Sequence, residues 1–136
     1  MRIMIDEYHL SWDYAWKLVT EVTAYTNHTV MAEALECWPE YIFKSLLPRI
    51  YQIVVEINER ACREFWDKTQ DWKKVSDLAI VAYGQVRMAN LSVIGSHMVN
   101  GVSALPSDIL KKDLFKNFYA LNPDKFTNVT NGIAHR

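Results

Sequence analysis

Apolar residues recur at three- and four-residue spacing through most of the first 83 residues, which is the pattern of helices with one buried face. After the potential N-cap Ser11, one helix is predicted to run to about Thr23. Its apolar face contains Trp12, Ala15, Trp16, Val19 and Val22. The strongest helical pattern begins at Pro48, with Ile50, Ile53, Val54, Ile57, Ala61 and Phe65 on one side. Shorter helices are predicted over "MAEALECW", over "PEYIFKSLL", and after "KTQDWKK" to about Tyr83.

The pattern changes in the second part of the chain. The β-branched run from Met88 to Ile94 predicts one short strand, and Asn100-Gly101 is a turn signal. Helical spacing returns at Leu105, Ile109, Leu110, Leu114 and Phe118, before a tail of loop or short extended structure. The predicted fold class is therefore mainly α with one short β-strand. Because a single strand leaves its backbone groups unpaired, either this strand prediction is wrong or its sheet lies outside the chain.

The polar stretch "AYTNHTV", Ala24 to Val30, lies between two predicted helices. It has two interpretations: it is a connector that caps the next helix, or it holds His28 toward a ligand. Periodicity does not choose between them. A second polar stretch of this kind, "TNVTNGI", lies near the C-terminus.

Composition limits the possible functions. The 136 residues are 50% hydrophobic with a formal net charge of −1, which favours one packed domain and argues against nucleic-acid binding. No apolar run approaches the roughly 20 residues that cross a bilayer, and the N-terminus lacks an apolar signal region. Cys37 and Cys62 are expected to be free thiols of a cytoplasmic protein, because no C-x-x-C pair is present.

None of the common catalytic or ligand-binding motifs indicates an activity for this sequence. The four histidines lack metal-site spacing, so no metal is expected, and no nucleophile elbow, glycine-rich phosphate loop or dinucleotide fingerprint is present. Ser96 adjoins His97, but neighbours in sequence are better explained as a polar turn. From the residues alone, the chain is a mostly helical intracellular domain.

Eight phrases together add a family resemblance. The chain contains "AYTNHTV", "EALE-W", "LLPR", "QIV-EIN", "VRMANL", "GSH-VNGV", "DILKK-LFK-FY-L-P-KF" and "N-TNGI". In this order and spacing they resemble the α-glucan phosphorylases, the glycogen, maltodextrin and starch phosphorylase family. The resemblance covers nearly the whole chain.

The resemblance implies a larger protein. Phosphorylases have two Rossmann-like α/β lobes of the glycosyltransferase-B type, and residues 1–136 would be a single fragment of the N-terminal lobe. Within it we expect a helical part over 1–83, a strand, turn and helix over 84–121, and a substrate-loop tail over 122–136. The pyridoxal-phosphate lysine and the phosphate-binding basic residues belong to the missing C-terminal lobe. This fragment would therefore bind no cofactor and contain no catalytic residue.

The implied reaction is phosphorolysis of an α-1,4-glucan by orthophosphate, which releases glucose 1-phosphate. The isolated chain would be inactive, and apolar surfaces that normally pack on the rest of the lobe would favour a homodimer. Two other interpretations remain: a non-catalytic helical protein-interaction module derived from a phosphorylase lobe, and a regulatory sugar-binding domain.

The resemblance also assigns site residues. His28 and Asn131 match the family residues that contact the 6-hydroxyl of the transferred glucosyl unit, while Thr29, Ala34 and Glu36 match residues that line the pocket beside its β face. Structural alternatives are that Thr29 caps the helix containing Ala34 and that Asn131 serves the turn before Gly132. Structural roles are expected for His97 and Asn100, and the role of His135 is open because "TNGIAHR" departs from the usual "TNGITPR".

Overall fold

A computed structural model describes residues 1–102 and 108–129 of the chain. Most of these residues are helical, which confirms the predicted mainly α class. None of the helices in these two ranges combines the length and the apolar composition needed to cross a membrane. Asn131 and His135 lie outside the described residues, as does the segment 103–107.

Six α-helices are described. They are α1 Trp12–Val22, α2 Glu40–Leu46, α3 Pro48–Thr69, α4 Trp72–Leu78, α5 Met88–Gly95 and α6 Lys116–Leu121. Shorter π-helical turns lie at Ile3–Glu7 and Leu110–Leu114, and 3-10 turns at Ala32–Ala34 and Pro123–Lys125. The predicted helices after Ser11 and from Pro48 are confirmed. The Ser11 hydroxyl accepts the Tyr14 N–H at 3.3 Å, as an N-cap should.

The described residues also form six short strands in two sheets, so the prediction of one strand is wrong. They are β1 Ala24–Asn27, β2 Cys37–Pro39, β3 Val81–Ala82, β4 Gln85–Arg87, β5 Met98–Gly101 and β6 Phe126–Asn128. One sheet is parallel, in the order β1-β5-β6, and the other is antiparallel, in the order β2-β4-β3.

The predicted strand from Met88 to Ile94 is wrong, because these residues form α5. A short run that is buried on several sides gives no clear helical or strand period. Ala89, Asn90 and Val93 are buried on one face, but Asn90 is polar and the other residues of α5 are half-buried, so no polar face marks the helical period. No unpaired strand therefore has to be explained at this position, and the strands that the described residues do form are paired.

Three other predictions fail where the chain enters a sheet. The helix over "MAEALECW" shortens to one 3-10 turn, because Cys37 pairs with Arg87 in the antiparallel sheet. The helix expected to reach Tyr83 ends at Leu78, and the chain turns back through a hairpin. Asn100-Gly101 is strand rather than turn, since Gly101 pairs with both neighbouring strands of the parallel sheet.

Two groups of buried side chains hold these elements together. The parallel-sheet core comprises Leu78, Ala89, Val93, Val99, Leu110, Phe115, Phe118 and Phe126. The hairpin core comprises Phe43, Ile53, Val54, Ile57, Ile80 and Val86. Ile94 of α5 packs against both, so α5 connects the two cores.

Candidate functional site

The polar stretch that begins at Ala24 lies at one end of the parallel sheet. Asn27 is the last residue of β1, and it pairs with Gly101 of β5, which in turn pairs with Asn128 of β6. The carboxyl ends of all three strands therefore meet at a single edge, which is where open parallel sheets bind ligands. Residues that follow β1 and β6 leave the sheet at this edge.

A buried amide shapes the turn that leaves β1. Asn27 is 2% exposed, and its Oδ1 accepts the Thr29 N–H at 2.6 Å. Its Nδ2 donates to the Tyr25 hydroxyl at 3.3 Å, and burial raises the pKa of that phenol. His28 lies between the two hydrogen-bonded positions and is exposed.

The Thr29 side chain stabilises the next step of the same turn. Its Oγ1 accepts the Met31 N–H at 3.2 Å, just before the 3-10 turn Ala32–Ala34 begins. Met31 occupies the cap position of that turn and makes no side-chain cap. Thr29 therefore stabilises the backbone just before this 3-10 turn, although it does not cap the turn itself.

One cavity of about 360 Å³ opens beside this turn. It is lined by Tyr25, Asn27, His28, Thr29, Ala34, Leu35, Glu36, Met88, Ala89 and Ser92. His28, Thr29, Ala34 and Glu36 are thus brought together. Asn131, the fifth residue singled out by the resemblance, lies outside the described residues.

The opposite wall comes from α5, where the sequence predicts a strand. The Met88 N–H donates to the Glu36 carbonyl at 3.0 Å, joining the two walls, and the Ser92 hydroxyl donates to the Met88 carbonyl. Sequence reasoning missed Met88 and Ser92, although the matching phrase "VRMANL" includes Met88 and its neighbours. It also missed Asn27, which lies inside "TNHT".

The lining suits a neutral, hydroxyl-rich ligand. Glu36 carries the one formal negative charge among the ten described lining residues, and its Oε1 accepts the Trp38 indole N–H at 2.6 Å. Hydroxyl, amide and imidazole groups provide both donors and acceptors. The described lining contains no lysine or arginine, so it does not suit a phosphate group.

His97 and Asn100 lie away from this lining and join β1 to β5. The Asn100 Oδ1 accepts the Thr26 hydroxyl at 2.8 Å. The His97 ring Nδ1 lies 2.7 Å from the Thr23 carbonyl oxygen, which also accepts the His97 N–H. Both residues therefore help to fix the strand that leads to His28.

A second cavity of about 310 Å³ lies between α1, α3 and the C-terminal part of the described chain. The Arg60 guanidinium covers the Trp12 ring at 4.8 Å and pairs with Asp13 at 3.2 Å. Burial lowers the pKa of Lys125, which also lines this cavity. None of the predicted site residues is in its described lining.

Comparison with known proteins identifies the family. A family model for carbohydrate phosphorylases matches residues 1–136, the whole chain. The chain belongs to the carbohydrate phosphorylase family. It is 52% identical over 137 residues to a glycogen phosphorylase of Bacillus subtilis, and 45% and 46% identical over 140 residues to the muscle forms of Ovis aries and Mus musculus. Each alignment covers the whole of this chain, which spans only 17% of the length of the relative.

Proposed function

We propose that the chain forms part of the sugar-binding wall of an α-1,4-glucan phosphorylase. The full-length protein would release glucose 1-phosphate when orthophosphate attacks the terminal glucosyl unit of an α-glucan. The proposal rests on one observation. In this chain, a member of the carbohydrate phosphorylase family, the residues His28, Thr29, Ala34 and Glu36 line one cavity. The names of its relatives support glycogen or a related glucan as the substrate.

His28 is proposed to bind the 6-hydroxyl of the transferred glucosyl unit. A hydroxyl both donates and accepts hydrogen bonds, and neutral imidazole offers one nitrogen for each role. Asn131 is proposed as the second contact, with its amide serving the same hydroxyl. Both residues would orient the sugar rather than transfer protons, and correct orientation is a substantial source of rate.

Thr29, Ala34 and Glu36 are proposed to line the pocket beside the β face of that sugar. The small Ala34 side chain leaves room in the wall, and Glu36 is held by Trp38 on the same side. The cavity volume of about 360 Å³ is at the small end of the range for ligand pockets, roughly 300–1,000 Å³. The remaining walls would come from other parts of the full-length protein.

The family implies a pyridoxal phosphate cofactor, and this cavity does not fit it. That cofactor needs a lysine amine for its aldehyde and cationic or backbone groups for its phosphate. The described lining contains no lysine or arginine. We therefore propose that the cofactor and orthophosphate bind to the C-terminal lobe of the full-length protein, and that the isolated chain has no phosphorylase activity.

Exposed apolar side chains support a place inside a larger assembly. Tyr83 is 85% exposed, Val22 78% and Tyr41 75%. These side chains lie on three separate elements or turns, as expected if the chain packs on several neighbours. The isolated chain is accordingly proposed to associate, as a homodimer in the simplest case.

The experiment compares the full-length protein that contains this segment with its His28→Ala variant. Wild type should form glucose 1-phosphate from maltodextrin and orthophosphate. In the reverse direction, His28→Ala should lower kcat/KM for glucose 1-phosphate by about 100-fold, as expected for a lost orienting contact. It should have much less effect on 6-deoxyglucose 1-phosphate, which lacks the contacted hydroxyl.

His9→Ala is the matched control, because His9 is also exposed but is not in the described cavity lining. It should reduce kcat/KM for both substrates by the same factor. An inactive full-length protein would overturn the proposal and favour the non-catalytic interaction module. If His28→Ala lowers kcat/KM equally for both substrates, the proposed contact between His28 and the 6-hydroxyl is wrong.

A further inference from the structure

Asn27 is the most buried polar side chain among the described residues, and it makes contacts on both sides of His28. Toward the sheet, its Nδ2 donates to the Tyr25 hydroxyl at 3.3 Å. Toward the next turn, its Oδ1 accepts the Thr29 N–H at 2.6 Å. His28 is therefore the one residue enclosed by the ring of the Asn27–Thr29 hydrogen bond.

We propose that Asn27 is a positioning residue that holds His28 toward the cavity and thereby determines selectivity for the sugar 6-hydroxyl. The inference rests on the proposed function and adds to it a residue that does not itself need to touch the sugar. Asn27 would act by fixing the peptide units on both sides of His28. An error of about 1 Å in such a position can cost about 100-fold in rate.

The anchor for Asn27 is rigid. The Tyr25 ring packs edge-on against Phe115 of the parallel-sheet core, with ring centroids 6.4 Å apart. The backbone of β1 is fixed by β5, since Tyr25 pairs with Val99 and Asn27 pairs with Gly101. A continuous series of contacts therefore runs from the core through Tyr25 to Asn27 and on to Thr29.

Loss of the Asn27 amide should free the turn without unfolding the sheet. The Thr29 N–H would have no acceptor in its present geometry, and a half-buried donor left unpaired is costly. The turn would relax until this N–H found water, and His28 would move with it. Because the strand pairing of β1 uses backbone groups, it does not depend on the Asn27 side chain.

The test uses the full-length protein with Asn27→Leu, which keeps the branching of the side chain but removes both hydrogen bonds. We expect kcat/KM for glucose 1-phosphate to fall about tenfold, the effect of one misplaced hydrogen bond. For 6-deoxyglucose 1-phosphate the loss should be no more than about twofold, because His28 has no hydroxyl to bind in that substrate. Equal losses on the two substrates would overturn the inference.

Asn58→Leu is the matched control. The Asn58 Oδ1 also accepts backbone N–H groups, those of Ile80 at 2.8 Å and Val81 at 3.3 Å, but Asn58 supports the hairpin and not the cavity. It should lower kcat/KM for the two substrates equally. Tyr25→Phe removes only the hydroxyl that anchors Asn27, so it should give an intermediate loss of selectivity, and it tests the inference even if Asn27→Leu fails to fold.

Hydrogen–deuterium exchange separates this inference from the proposed function. In the full-length protein, Asn27→Leu should speed amide exchange in a peptide covering residues 28–31, and Asn58→Leu should not. Unchanged exchange in that peptide would overturn the positioning role, whether or not the protein is a phosphorylase. If the wild type lacks phosphorylase activity while Asn27→Leu still exchanges faster than wild type in that peptide, the proposed function is wrong and the positioning of the turn by Asn27 is supported.

Discussion

The two sheets formed by the described residues are similar in size, and each buries a side chain of its central strand, but they end differently. Each has three short strands, and the central strand of each contributes a valine with 0% exposure, Val99 in β5 and Val86 in β4. The antiparallel sheet ends in a tight hairpin whose turn residues, Tyr83 and Gly84, are exposed. The parallel sheet ends in the polar turn that contains Asn27 and His28.

The difference follows from strand direction. An antiparallel hairpin uses its connection to reverse the chain, so the turn is short and its residues are chosen for backbone geometry. Parallel strands need their connections elsewhere, so segments distant in sequence leave the sheet at the same edge. A ligand site is therefore expected at the parallel sheet, and the hairpin serves as support.

The largest predicted effect comes from a matched pair, Val99→Ala and Val86→Ala. Both remove buried methyl groups from a central strand, so each should lower the free energy of unfolding by about 1.5–3 kcal/mol. Urea denaturation of the 136-residue chain measures this loss. In the full-length protein, Val99→Ala alone should reduce the preference for glucose 1-phosphate over its 6-deoxy analogue. A similar reduction for Val86→Ala would contradict the claim that the parallel sheet, and not the hairpin, supports the ligand site.

A smaller effect is predicted for Gly84→Ala in the hairpin turn. Gly84 has φ of +70°, and a Cβ atom there would meet nothing within 4 Å. The cost is therefore one of backbone conformation, about 1 kcal/mol of unfolding free energy. Substrate preference should remain that of wild type. A change in the 6-hydroxyl preference would show that the hairpin takes part in the site.

Thr29→Val, in contrast to Gly84→Ala, should change substrate preference. The substitution keeps the shape of the side chain but removes the oxygen that accepts the Met31 N–H. Because this hydrogen bond is exposed, the free energy of unfolding should fall by about 0.5–1 kcal/mol, no more than for Gly84→Ala. Selectivity for the 6-hydroxyl should nevertheless fall by a few fold, as measured by the ratio of kcat/KM values. Unchanged selectivity would mean that Thr29 is a structural residue only.

The smallest predicted effect is a pH dependence from Tyr25. Burial raises the pKa of its phenol in the folded chain. The associated stability is fully present below the unfolded pKa of about 10, and it is lost as pH rises through the folded pKa. Tyr25→Phe should therefore reduce the alkaline loss of stability, measured as melting temperature against pH. An unchanged alkaline slope in that variant would show that Tyr25 does not contribute to it.

The sequence predicted long elements better than short ones. α1 and α3 have caps and a repeated apolar face over several turns, so their pattern is local and was interpreted correctly. α5 has eight residues that are buried or half-buried on most sides, and its β-branched residues suggested a strand instead. β1 and β5 pair across more than 70 residues, and strands of four residues give no usable period.

Local sequence patterns were also insufficient to predict the candidate site. Periodicity left two roles open for His28, and the family resemblance supplied the proposed role. The structure then placed His28 in one cavity with Thr29, Ala34 and Glu36. Asn27 carried no signal of its own in the sequence, because its importance comes from burial and from two hydrogen bonds that depend on the folded turn.

The central claim is that this cavity receives the glucosyl unit. The most direct test is a crystal structure of the full-length protein with a maltooligosaccharide and orthophosphate. We expect a glucosyl 6-oxygen about 3 Å from a ring nitrogen of His28, with the sugar against Ala34 and Glu36. A glucosyl unit bound in the active site but away from His28, with the cavity beside Asn27 empty, would contradict it.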